Sequence, residues 1–137
     1  MVTIDDVIGP YATSPDLTDE RRNNIVTCLP VFALLEQEMV ADNVDFPVNP
    51  KTGTGISGEG NGGFRPQDCP IGAPDSSHKE GLAIDRYDPN GEIDGWLMLH
   101  QDRLEFYGIY IEHPSATTGW SHWTTRAPGS GHHVFYP

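Results

Sequence analysis

The chain has 137 residues, the size of one ordinary domain, and its 15 glycines and 12 prolines predict that much of it is loop. Its 20 acidic and 8 basic residues give a formal net charge of −12, which disfavours nucleic acid and anionic membrane surfaces as partners. The acidic start of the chain and the lack of a long apolar run predict neither a signal peptide nor a transmembrane segment.

The first part of the chain is predicted to contain one long helix. Residues 1–17 show little periodicity and are predicted to form an N-terminal arm to a single domain of residues 18–137. A helix is predicted from Thr18, because acidic residues follow it and apolar residues then recur at helical spacing. The residues predicted to face the core are Ile25, Val26, Leu29, Phe32, Leu35 and Met39. Pro30 lies inside this run and is predicted to kink the helix or to split it in two.

The rest of the chain is predicted to form a short helix and several strands. Residues 42–74 are rich in Gly and Pro, and only a short strand at Gly63–Arg65 is expected there. A strand at Gly81–Asp85, a turn at Asp88–Gly91 and a helix at Glu92–Phe106, ended by Gly108, are predicted next. Further strands are predicted at Ile109–Glu112, Ser121–Thr125 and Val134–Tyr136. This order of elements predicts an α+β domain with a small antiparallel sheet flanked by helices.

One histidine and one aspartate in this ordered part are candidate metal ligands. In a strand at Gly81–Asp85, Gly81, Ala83 and Asp85 share one face, and the two small residues leave that face open. His78, from the preceding turn, can fold back over it. An imidazole and a carboxylate that converge in this way are typical zinc ligands. A purely structural hydrogen bond between the two residues fits the same spacing.

A second histidine lies on a later predicted strand. Alternation along that strand places Trp120, His122 and Thr124 on one face. A histidine between Trp120 and Trp123 is not expected to be a solvated surface residue. It is either a third metal ligand or a core histidine that bonds to a backbone carbonyl.

These segments together resemble a known group of proteins. The string S-x-H-x-x-G-x-A-x-D, from Ser76 to Asp85, resembles the first zinc motif of the zinc D-alanyl-D-alanine carboxypeptidases. That group includes D-Ala-D-Ala dipeptidases, phage L-alanyl-D-glutamate endolysins and the Hedgehog signalling domain. The string W-x-H-W around His122 resembles the segment that supplies the third ligand, and Gly63–Pro66 is similar to a Gly-aromatic-Arg element. The similarity covers roughly residues 60–137, and from Asp85 onwards it is to a phage-encoded branch of the group.

The resemblance implies a Hedgehog-like or D-Ala-D-Ala-peptidase-like fold with one Zn²⁺ bound by His78, Asp85 and His122. Water would occupy the fourth position, as in catalytic zinc sites. Arg65 would stabilise the oxyanion or anchor a substrate carboxylate. A salt bridge to one of the many acidic residues is the alternative for Arg65.

One departure from the group concerns the general base. Members of the group carry Asp or Glu three residues before the last zinc histidine, and here that position is Gly119. Glu112 is the best substitute, because it ends a strand expected to lie beside the His122 strand. An ordinary surface or salt-bridged glutamate is the alternative for Glu112.

The leading expectation is therefore a zinc peptidase that uses water to cleave peptidoglycan stem or cross-link peptides, like a phage endolysin. A different class is also compatible: a non-catalytic virion structural or decoration protein that retains the peptidase fold and binds other virion proteins. A third class is a zinc-dependent binding module for wall peptides. The expected location is the host cytoplasm or the phage particle.

Overall fold

The computed structural model describes residues 1–137 and belongs to the mixed α+β class, as the order of predicted elements indicates. Its helices are α1 (Ile4–Ile8), α2 (Asp19–Ala41), α3 (Glu92–Leu99) and α4 (Gln101–Tyr107). Its strands are β1 (Ala83–Tyr87), β2 (Tyr110–Glu112), β3 (Trp120–Thr124) and β4 (Val134–Phe135). Two short 3₁₀ turns lie at Gly9–Tyr11 and Pro114–Ala116.

The four strands form one sheet in the order β1-β3-β2-β4. Strand β3 pairs antiparallel with both β1 and β2, whereas β4 pairs parallel with β2. The prediction of a purely antiparallel sheet was therefore wrong for β4. The reason is that residues 125–133 reverse the chain after β3 and carry it past β2 to the far edge of the sheet. There β4 runs parallel to β2.

Helix α2 contributes much of the hydrophobic core. Thr18, where the helix was predicted to begin, caps it, because the Arg21 N–H donates to the Thr18 hydroxyl at 3.2 Å. Ile25, Phe32, Leu35 and Met39 are buried and Leu29 packs against the core, but Val26 is 44 % exposed, so that residue was wrongly assigned. The ring of Phe32 meets Trp123 of β3 edge to face at 5.8 Å. The sheet and α2 therefore share one core.

Pro30 does not split α2, which runs unbroken from Asp19 to Ala41. Pro30 is exposed, so its ring meets solvent rather than a packed neighbour. By length and composition alone α2 could span a bilayer, whereas no transmembrane segment was predicted. Its inward-facing side chains are buried in the core.

The first residues are packed against the domain and do not form an extended arm. Val2, Val7 and Ile8 belong to the main core cluster. Thr3 caps α1 through a reciprocal pair of hydrogen bonds with Asp6. The prediction of an arm at residues 1–17 fails because α1 has only five residues, too few to show a helical period.

No strand forms at Gly63–Arg65, contrary to the prediction. The segment makes single backbone hydrogen bonds to two different elements instead of a ladder. The Phe64 N–H donates to the Val7 carbonyl at 2.8 Å, and the Arg65 N–H donates to the His78 carbonyl at 3.2 Å. The segment therefore joins α1 to the turn that precedes β1.

The remaining boundaries differ from the predictions by small amounts, with one break. Strand β1 begins at Ala83, two residues later than predicted. The single helix predicted at Glu92–Phe106 is two helices, because the backbone of His100 leaves the helical region at φ −131° and ψ 42°. Gly108 ends α4 in the left-handed conformation, as predicted.

Candidate metal centre

The sheet and the turn before it bring His78, Asp85 and His122 together. Asp85 and His122 are direct partners across the β1–β3 ladder, so their side chains lie side by side on one face of the sheet. His78 reaches them from the turn before β1. The three residues are 3 %, 8 % and 7 % exposed, respectively.

Three side-chain atoms of this group converge on one point. His78 Nε2 lies 3.1 Å from Asp85 Oδ1, His122 Nδ1 lies 2.9 Å from the same oxygen, and the two nitrogens are 3.2 Å apart. This is the one group of histidine, cysteine and acidic side chains in the chain that could hold a metal ion. The structure therefore brings together the three residues that were predicted to be metal ligands.

Backbone and side-chain partners fix the orientation of two of these residues. His78 Nδ1 lies 2.8 Å from the carbonyl oxygen of Gly63. Because a carbonyl only accepts, Nδ1 carries a proton and donates it, which leaves Nε2 as the ring nitrogen that faces the site. On the aspartate, Oδ2 accepts a hydrogen bond from Arg65 Nη2 at 3.1 Å. Only Oδ1 of Asp85 is therefore left to face the histidines.

Arg65 is buried and committed to local contacts on two of its nitrogens. Its Nε donates to the Asn61 carbonyl at 2.6 Å, in addition to the bond from Nη2 to Asp85. The salt bridge weighed as an alternative is thus present, and its partner is a candidate metal ligand. Arg65 also borders the cleft described below, so the contact does not remove it from the site.

The protonation states of the group favour an anionic carboxylate. Burial alone would raise the pKa of Asp85, but the charges of His78 and His122 and hydrogen bonds to both hold it well below its usual range. Burial alone would lower the pKa of His122, yet the hydrogen bond and charge of Asp85 raise it above its ordinary value. The charge of Glu112 contributes to the same rise. A bound metal cation would take the place of the positive charge that the histidines carry beside Asp85.

A cleft of about 490 Å³ opens beside the three residues. Its walls include Arg65, Glu112, Trp120 and Phe135 together with all three candidate ligands. Trp120 thus lies where the sequence analysis of its strand face would place it, while Phe135 of β4 supplies a second aromatic wall. The candidate metal site is therefore reachable by a ligand the size of a short peptide segment.

Glu112 lies beside His122 in the sheet. The β2–β3 ladder pairs Tyr110 with Thr124 and Ile111 with Trp123, so the next step of the same ladder puts Glu112 opposite His122. Asp85, His122 and Glu112 therefore form a row across three neighbouring strands, on one face. The residue at the usual base position, Gly119, does not line this cleft but a different cavity.

The other four histidines lie outside this group. The ring of His133 bonds to the Ile109 carbonyl at 2.8 Å, and His132 is exposed. His113 bonds to the Ser115 hydroxyl, and the ring of His100 stacks on a tryptophan at 3.9 Å. None of the four lines the cleft.

Sequence reasoning missed two charged residues of the cleft, Asp75 and Arg126. The signal for Arg126 was the strand alternation used for His122, because positions 120, 122, 124 and 126 share one face if the strand is continued. The structure ends β3 at Thr124, and Arg126 follows at the mouth of the cleft.

Comparisons with known proteins leave the family of this chain open. No protein-family model, no curated protein and no solved structure matches it. The likeness to the zinc peptidases therefore depends on the motifs quoted above.

Proposed function

We propose that the chain is a zinc-dependent peptidase that cleaves peptidoglycan stem or cross-link peptides. The observation that carries the proposal is the convergence of His78 Nε2, Asp85 Oδ1 and His122 Nδ1 at mutual distances of 2.9–3.2 Å, beside an open cleft. The Hedgehog-like peptidase fold belongs to this proposal, because β1 and β3 carry two of the ligands in the order that the motifs require.

The donor set and its spacing favour zinc. Two imidazoles and one carboxylate are ligands that zinc binds at about 2.0–2.1 Å, and a tetrahedron of that size has edges of roughly 3.3 Å. The three observed distances fall just below that edge length, so small side-chain shifts suffice to admit the ion. Three protein ligands leave a fourth position open, as in catalytic rather than structural sites.

Bound zinc would supply Lewis acidity toward a peptide carbonyl and toward water. The chain itself would supply the proton transfer and the orientation. Glu112, which lies beside His122 in the cleft, would take a proton from water and pass it to the leaving amine. Arg65 would hold Asp85 Oδ2 through Nη2, while its Nη1, which makes no hydrogen bond within the protein, would donate to the developing oxyanion.

A second candidate function follows from Gly119. A chain of this fold that lacks a carboxylate at the usual position could serve as a virion structural or decoration protein, with zinc as a stabilising ion. In that case Glu112 would transfer no proton, and the acidic surface would serve contacts with other virion proteins. The alternative predicts zinc binding without hydrolysis.

The test is the release of new amino groups from purified peptidoglycan by the zinc-loaded protein, with the fragments identified by mass spectrometry. The matched variants are His122→Ala, which removes a ligand, and His132→Ala, which removes an exposed histidine outside the cleft. The proposal expects release by the wild type and by His132→Ala, and none by His122→Ala or after chelation. Stoichiometric zinc without any release would favour the structural alternative.

A further inference from the structure

The cleft beside the metal group contains two arginines with different surroundings. Arg65 is buried and held by Asp85 and by the Asn61 carbonyl. Arg126 is exposed at the mouth of the cleft, two residues after β3 ends. Of the two, only Arg126 has most of its guanidinium group available to bind an incoming ligand.

Arg126 is unusual among the basic residues of this acidic protein. Ion pairs to carboxylates engage five of the eight: Arg21, Lys51, Arg65, Arg86 and Arg103. Lys79 is buried and donates to the Gln67 carbonyl, and Arg22 is exposed on α2, away from the cleft. Arg126 is therefore the one basic residue of the cleft that has no carboxylate partner.

Local hydrogen bonds hold Arg126 in place and engage only one nitrogen of its guanidinium group. Its backbone N–H donates to the Thr124 hydroxyl at 3.1 Å, which fixes the turn after β3. Its Nη2 donates to the Asp75 carbonyl at 2.5 Å, which directs the side chain across the cleft toward the opposite loop. Nε and Nη1 make no hydrogen bond within the protein. A guanidinium held in this way can still present a planar pair of donors to a carboxylate.

We propose that Arg126 recognises a carboxylate of the peptide substrate and so selects acidic peptides for this cleft. The proposal rests on the peptidase function proposed above and deepens it by assigning a substrate feature. Arg126 follows His122 by four positions, a backbone span of at most about 14 Å, so the recognised carboxylate lies within about four residues of the scissile bond. With a net charge of −12 on the protein, a local unpaired cation is needed to offset the repulsion of an anionic substrate.

The chemistry admits two sources of the carboxylate, the C-terminus of the peptide or an acidic side chain. Three N-acetylated tetrapeptides separate them: Ala-Ala-D-Ala-D-Ala with a free C-terminus, the same peptide as its carboxamide, and the carboxamide with D-Glu in place of the second residue. Equilibrium binding of each to the zinc-loaded protein is measured by titration calorimetry. This readout does not depend on hydrolysis, so an inactive protein that still discriminates would refute the peptidase function and leave the recognition intact.

The decisive variant is Arg126→Gln, with Arg22→Gln as a control of equal charge change at an exposed site outside the cleft. The wild type and Arg22→Gln are expected to bind one of the two carboxylate-bearing peptides roughly 10- to 100-fold more tightly than the neutral carboxamide. Arg126→Gln should lose that preference, and Arg126→Lys should restore part of it. If Arg126 only ties the loop at Asp75, Arg126→Gln would weaken all three peptides equally, and the proposal would be overturned. Equal binding of the three peptides by the wild type would overturn it as well.

Discussion

Replacement of Gly63 by alanine should damage the fold and the metal group together. A Cβ atom at this position would contact the Val7 carbonyl oxygen and approach the Val7 Cα to 2.9 Å, a distance that real Cβ atoms essentially never show. These are backbone atoms of α1, so no side-chain rotation can relieve the contact. Either α1 or the segment at residues 62–65 must move.

The size of the effect follows from these contacts. Overpacking of this kind destabilises a domain by about 1–3 kcal/mol. The movement also displaces the Gly63 carbonyl, which accepts the hydrogen bond from His78 Nδ1 at 2.8 Å. Loss of such a partner of a metal-binding histidine typically weakens the metal affinity about 10- to 100-fold. Gly63→Ala should therefore lower both the free energy of unfolding and the affinity for zinc.

The assays are urea unfolding of the metal-free protein and a competitive zinc titration. The matched control is Gly95→Ala in α3, where an added Cβ meets nothing within 4 Å. That control should gain about 0.5–1 kcal/mol, because alanine is the better helix former, and should leave the zinc affinity unchanged. A Gly63→Ala protein as stable as the wild type, with equal zinc affinity, would refute the described contact between α1 and the segment that orients His78.

Three further predictions concern catalysis, the core and pH. Glu112→Gln should retain zinc and cleave wall peptides about 10²- to 10⁴-fold more slowly than the wild type. Glu105→Gln on α4 is the control and should keep the wild-type rate. A Glu112→Gln rate equal to that of the wild type would remove Glu112 from the mechanism. Trp123→Ala should cost about 3–5 kcal/mol in urea unfolding, because Trp123 is fully buried, while Phe106→Ala, at 69 % exposure, should cost far less. Burial raises the pKa of the Asp94 carboxyl in the folded state above its unfolded-state value. The stability that the protonated carboxyl contributes is therefore complete below the unfolded-state pKa. It is lost as the pH rises through the folded-state pKa. Asp94→Asn should therefore gain stability relative to the wild type between about pH 4 and pH 7, and a difference that is independent of pH would contradict the shift.

The candidate site was accessible to sequence reasoning because its residues lie on regular elements. Strand alternation indicated that Asp85 faces an open side of its strand and that His122 shares a face with Trp120 and Thr124. His78 was expected to fold back over Asp85 from the preceding turn. The register that makes Asp85 and His122 direct partners is a tertiary property, and no local pattern specifies it. The same register places Glu112 beside His122, so this placement also needed the structure.

Several elements of the fold were not predictable because tertiary contacts outweigh local preference. The break between α3 and α4 is held by His100, whose ring stacks on Trp96 and bonds to its carbonyl at 2.7 Å. The helix pattern itself continues across that position, so periodicity alone predicted one helix. The parallel pairing of β4 likewise depends on the path of the loop before it, which carries no distinctive sequence signal.

The position of Arg65 is compatible with both roles that the sequence predicted for it. The sequence left open a substrate contact and a salt bridge to an acidic residue. The structure places the guanidinium against Asp85, at 3.1 Å, and at the edge of the cleft. Because an arginine has five donors, the ion pair leaves Nη1 for the oxyanion role proposed above.

The most direct test of the account is the zinc content and zinc affinity of the purified protein, measured by elemental analysis and by competitive titration. The comparison includes His78→Ala, Asp85→Asn and His122→Ala, with His132→Ala as the control outside the cleft. We expect one zinc per chain in the wild type and the control, and loss of stoichiometric zinc in each of the three variants. At free zinc 100-fold above the dissociation constant, the wild type should also gain about 2.7 kcal/mol of stability. A wild type that binds no zinc when zinc is supplied, or triad variants that retain it, would contradict the central claim.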